Sequence, residues 1–174
     1  VSHAESNPSL LLHAEGTNAS TVILDSALPS HTLAISGSAC VSTDQFKFGN
    51  ASLALDGASS VNITSNDSDF NFGSNDFTAE CFIRMSGLPA QGSAYCIFSK
   101  GPDLNNNYNL YITNISGIYY LGFTVNSSSN AIITGVGEIS PSVDTWYHIA
   151  ISRNGSNWGI YFNGSAVTTI TDTD

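Results

Sequence analysis

The chain has 174 residues, 41% of them hydrophobic and only 10% charged, with a formal net charge of −10. That length and apolar content suit one domain with a sizeable core. Four basic residues (Lys47, Arg84, Lys100 and Arg153) against fourteen acidic ones argue against a phosphate-gripping nucleic-acid binder and against anionic membrane surfaces. No apolar run approaches the roughly 20 residues that cross a bilayer as a helix, so no membrane insertion is expected. The chain opens on Val1 without an apolar leader, which reads as a processed product or an excerpt of something longer.

Helical periodicity is nearly absent. Short apolar or alternating runs recur instead between Gly, Asn, Asp, Ser and Pro, the pattern of an all-β antiparallel sandwich or barrel. Strands are predicted over 10–14, 32–35, 39–42, 51–55 and 61–63, with one helical turn over 67–70. The clearest strand is 77–85, where Phe77, Ala79, Cys81, Ile83 and Met85 share the core face and Thr78, Glu80, Phe82 and Arg84 the other. Strands over 95–99, 108–113, 119–125 and 131–134 follow.

The stretch from Trp146 to Phe162 reads as strand, turn, strand, ending in a second turn, and 167–170 begins another strand. Each turn carries an Asn-Gly pair, Asn154-Gly155 and Asn163-Gly164, which supplies the positive φ angles that a tight hairpin needs. About twelve strands and no linker or internal repeat point to a single domain over 1–174.

Three cysteines (Cys40, Cys81 and Cys96) permit at most one internal disulfide. Cys81 and Cys96 lie in consecutive predicted strands and are the candidate pair. The alternative makes Cys81 a small apolar core residue, and this is the preferred reading. The histidines are scattered and no Cys-x-x-Cys pair occurs, which leaves no zinc site.

Four landmarks carry a resemblance. They are Leu10 to Gly16 with Asp25-Ser26 as the turn after it, Lys47 to Gly57 (a Phe-Gly, then an alternating strand ending Asp-Gly), Asp76 to Arg84, and the Trp146-Tyr147-His148 hairpin. In that order they resemble the laminin-G/pentraxin-like branch of the concanavalin A-like lectin/glucanase superfamily, as found in tailed-phage structural proteins and in microbial surface proteins. The resemblance implies an antiparallel jelly-roll β-sandwich. The family pattern continues with further strands, so the expectation is that the full chain continues or that a neighbouring subunit completes the sheet.

The resemblance raises three chemistries. Glucanases of this kind need two carboxylates flanking the scissile bond. Glu5, Glu15, Glu80 and Glu138 never share a predicted strand, so no enzyme is expected and there are no catalytic residues to name. Pentraxins place an Asp-Asn pair near the loop Asp103, Asn105, Asn106 and Asn107, which would supply half of a calcium site; their other ligands come from a later loop that this sequence lacks. Metal-free sugar binding would use aromatic faces among amides, and the candidates are Tyr108, Tyr111, Tyr119, Tyr120 and Trp158.

His148, Arg153 and Glu80 read as structural, with Glu80 pairing to Arg153 or Arg84. Eight Asn-x-Ser/Thr triplets begin at Asn18, Asn50, Asn62, Asn66, Asn114, Asn126, Asn154 and Asn163. They are glycosylation acceptors if the host is a eukaryote. The expected role is a non-enzymatic structural or decoration protein of a virion surface with glycan adhesion. Its expected partners are copies of itself or other particle and fibre subunits, and glycans. The alternative is a secreted, glycosylated, lectin-like or fibre-forming surface protein of a microbe. Either role places it on a virion surface or outside the cell.

Overall fold

The computed structural model describes residues 7–64, 68–103, 106–127 and 130–172. Twelve strands and one 3₁₀ turn (Ser68–Phe70) fall into two compact units, one up to Asn71 and one from Phe72. No helix among the described residues is long and apolar enough to cross a membrane.

In the N-terminal unit β1 (Leu33–Ser36) pairs antiparallel with β4 (Ser60–Ile63), and β2 (Cys40–Ser42) with β3 (Ser52–Ala54). Ile23, Val41 and Ala51 form its buried centre, with Leu33, Ile35, Leu53 and Val61 packed on them. The strand expected over 10–14 does not form. One bridge, Leu12 to Asp25, stands in its place, and the left-handed φ of Ala14 (53°) ends the extended backbone there.

A buried carboxylate organises this segment. Asp25 Oδ1 accepts from the Leu11 and Ala27 amides at 2.9 Å, and Oδ2 accepts from the His31 amide at 2.9 Å and bonds His31 Nδ1 at 2.8 Å. The turn residue of the sequence reading is therefore an anchor for backbone that has no ladder.

In the C-terminal unit two four-stranded antiparallel sheets face each other. One has the order β12-β11-β10-β5, built from β5 (Phe77–Arg84), β10 (Trp146–Asn154), β11 (Asn157–Phe162) and β12 (Ser165–Thr171). The other runs β6 (Ala94–Asp103), β7 (Asn106–Ile115), β8 (Ile118–Ser127) and β9 (Asn130–Ile139) in sequence order. Period-two alternation sends Leu110, Ile112, Leu121 and Phe123 from one sheet and Ile149, Ile151, Trp158 and Ile160 from the other into a shared core.

Arg153 lies over the Trp158 ring at 4.9 Å and donates to the Gly73 and Gly155 carbonyls, tying the hairpin to the segment before β5. The hairpin turns divide the work differently from the Asn-Gly reading. Asn163 and Gly164 both have positive φ (51° and 77°), as a type I′ turn requires. In the other turn Gly155 (58°) leads, with Asn154 the last paired strand residue opposite Asn157. That φ pattern, glycine first, belongs to a type II′ turn.

Candidate functional site

The outward face of the β6–β9 sheet is unlike its core face. Tyr108, Leu110 and Ile112 of β7 and Tyr119, Leu121, Phe123 and Val125 of β8 turn inward. The alternate residues turn outward: Asn109, Tyr111 and Thr113 from β7, and Tyr120, Gly122 and Thr124 from β8. Tyr111 sits directly across from Gly122, and its ring lies over that glycine. A Cβ added to Gly122 would fall 2.6 Å from the ring. The φ of Gly122 lies outside the left-handed region, so the glycine supplies room for the ring rather than a special backbone conformation.

Polar groups border the ring. The Tyr111 hydroxyl meets Thr124 Oγ1 at 3.4 Å. Asn107 Oδ1 accepts from Asn109 Nδ2 at 2.7 Å and from Asn126 Nδ2 at 3.0 Å, which fixes three planar amides beside it. Tyr120 stands opposite Thr113 on one side and Glu138 on the other. The face thus combines an apolar plate, a second tyrosine, and amide and hydroxyl groups. It suits a neutral ligand with an apolar face and a hydroxylated rim.

Of the five aromatic candidates, Tyr111 and Tyr120 share this face. Tyr108 packs against the core with Phe72 at 5.5 Å and Phe123 at 6.3 Å. Tyr119 packs on the same core, and Trp158 is 2% exposed within it. Gly122, Asn109 and Thr124 were not singled out by sequence; only the strand register reveals them as neighbours of Tyr111.

Around the calcium expectation, Asp103 and Asn106 pair at the β6–β7 turn, and Asn105 lies outside the described residues. Asn107 is 6% exposed and turns its oxygen to the two amides described above. No group of three or more His, Cys, Asp or Glu gathers as for a metal ion among the described residues.

All three cysteines are free, so the Cys81–Cys96 bridge is not formed; Cys81 belongs to β5 and Cys96 to β6, which lie in different sheets. Burial, then the neighbouring Glu80 charge, pushes the Cys81 thiol up to about 11. The expected Glu80–arginine pairing is also replaced. Glu80 Oε2 bonds His148 Nε2 at 3.2 Å, Arg84 meets Asp144 at 2.8 Å, and Arg153 lies 3.7 Å from Asp172. Register explains the change: Arg153 is paired with Phe77, on the face of the sheet opposite Glu80, and Arg84 is four residues along the strand.

Among the sequons, Asn18, Asn50, Asn62, Asn154 and Asn163 are exposed and Asn126 is half-buried, while Asn66 lies outside the described residues. Asn114 is 6% exposed, donates to the Pro89 carbonyl and accepts from the Gly117 amide.

Known proteins share this fold. The solved binding domain of botulinum neurotoxin DC in complex with rat synaptotagmin II is 19% identical, with a TM-score of 0.63 over 95% of this chain and 40% of that one. Botulinum neurotoxin type C, whose cell entry is dependent upon interaction with two ganglioside molecules, is 18% identical with a TM-score of 0.59 over 95% of this chain and 39% of its own. An S-layer domain-containing protein from Clostridium thermocellum gives 18% identity and a TM-score of 0.45 over 92% of this chain and 71% of that one. The chain therefore spans about two fifths of the toxin chains it matches, 40% and 39%. For the two toxin chains, at these identities, the likeness is one of fold alone. No curated protein matches. Residues 55–174, more than half of the chain, match the family model Laminin_G_3 of the concanavalin A-like lectin/glucanases superfamily. With twelve strands, all-β sheets and a jelly-roll sandwich architecture, this chain belongs to that family.

Proposed function

We propose that the chain is a non-enzymatic adhesion module that holds neutral glycans on its Tyr111 face. It would serve as a structural or decorating component of a virion or another extracellular surface, beside copies of itself or other particle subunits. The observation that carries this reading is the Tyr111 ring laid over Gly122 between hydroxyls and fixed amides. A pyranose presents C–H groups on its face and hydroxyls at its rim, and such a surface complements both. The pairing of Glu80 with His148, rather than with a second carboxylate, supports binding over hydrolysis.

Calorimetric titration with neutral oligosaccharides tests the reading. Tyr111→Ala weakens binding about tenfold or more with an unchanged melting temperature. Calcium neither evolves heat on addition nor alters the sugar affinity, because the amide oxygen of Asn107 is already engaged. Equal affinities for the native chain and Tyr111→Ala would sink the assignment.

A further inference from the structure

The opposite sheet of the C-terminal unit carries a second tyrosine plate. On the outward side of β10, β11 and β12 lies a shallow depression of about 360 Å³. Ser152, Asn154, Asn157, Tyr161, Thr169 and Thr171 line it, and none of its lining residues is charged. Register brings them together: Ser152 and Thr169 flank Gly159 on its two neighbouring strands, and Asn154 and Thr171 flank Asn157.

Tyr161 folds back along its own strand over Gly159. A Cβ on that glycine would lie 2.4 Å from the Tyr161 hydroxyl oxygen and 2.7 Å from the ring. The φ of Gly159 lies outside the left-handed region, so this glycine also provides room. A register shift between Ile160 and Tyr161 locally disrupts the ladder at that point, which re-aims the tyrosine. Thr171 Oγ1 donates to Asn157 Oδ1 at 3.4 Å, holding that amide upright beside the plate. Uncharged walls, amides, hydroxyls and a ring laid on bare backbone select a neutral, hydroxyl-rich ligand over an anion or a basic peptide.

We propose that this depression is a second glycan site, and that one chain thereby bridges two neutral glycans, one on each sheet. The bridging rests on the Tyr111 reading for its other half; the Tyr161 site stands on its own residues.

Native mass spectrometry of the chain with neutral tri- and tetrasaccharides of glucose, galactose and mannose counts the sites. The native chain is expected to carry two sugars, Tyr161→Ala and Tyr111→Ala one each, and the double variant none. Gly159→Ala keeps the phenol but tips the ring away, and loses the same site about tenfold or more, whereas Tyr161→Phe retains it. Thermal melting of each variant checks the fold, and Gly159→Ala decides the matter if Tyr161→Ala is unfolded. Undiminished occupancy of both sites in Tyr161→Ala, or in Gly159→Ala, overturns the second site and leaves the first standing. Loss of all binding with Tyr161→Ala but none with Tyr111→Ala upholds this site and contradicts the Tyr111 face. A panel that binds nowhere contradicts both.

Discussion

Asp25 shows how much one buried side chain can organise. Its carboxylate is fully enclosed and accepts four hydrogen bonds from Leu11, Ala27 and His31. Asp25→Ala leaves three backbone amides unpaired and costs the N-terminal unit about 3 kcal/mol or more, measured by chemical denaturation. Burial alone would raise this carboxyl's pKa, but the hydrogen bonds outweigh it and hold the group well below the ordinary carboxylate range. A lowered folded pKa contributes stability that is complete above the unfolded value, 3.8, and is lost as pH falls below it. Acid unfolding followed by circular dichroism is therefore expected to steepen below about pH 4, and Asp25→Asn to flatten that limb. None of this was legible in sequence, where Asp25-Ser26 has the composition of any turn. Asn114 is a similar case. Its triplet matches the acceptor pattern, yet its amide is buried and bonded at both ends. In a eukaryotic secretory host, peptide mapping is expected to find Asn114 bare and the exposed Asn50 occupied. Equal occupancy at the two would contradict the packing around Asn114.

Among the elements, β5 and β10 could be read directly because their alternation is clean and apolar on one face. The four strands β6 to β9 are each 10 residues long, well beyond the runs predicted. Their outward positions hold Asn, Ser, Thr and Gly, which imitate turn punctuation when only sequence is seen. The same ambiguity hid the candidate site. Tyr108 and Tyr111 look alike in sequence, and only register separates the core ring from the outward one. Gly122, Gly135 and Gly137 in these strands act through space rather than conformation. Gly135 and Gly137 let β12 approach β9 closely: a Cβ on Gly137 would lie 2.5 Å from the Val167 carbonyl oxygen. Gly137→Ala is expected to cost about 1–3 kcal/mol by forcing backbone apart. Gly87→Ala is the control, since nothing lies within 4 Å of its added Cβ and its φ is outside the left-handed region. Denaturation midpoints that fall equally in the two variants would contradict the close approach.

For the molecule as a whole, short apolar or alternating runs set between Gly, Asn, Asp, Ser and Pro made the all-β class legible in the sequence. The landmarks at Asp76 to Arg84 and at the Trp146 hairpin indicated the family, because both are alternating strands within the residues that match its model. What the sequence left open was which face faces outward and what sits on it, since that depends on register across strands distant in the chain. A neutral ligand held by amides and a ring also has a physical signature. Its affinity is expected to stay level from low to high salt, whereas an ion-paired ligand would weaken as salt screens it. The most direct measurement is chemical-shift mapping of the labelled chain during titration with a neutral trisaccharide. The account predicts the largest shifts at Asn109, Tyr111, Gly122 and Thr124, with a second set at Gly159 and Tyr161. Saturable shifts confined to other residues, with those six unmoved, would contradict it.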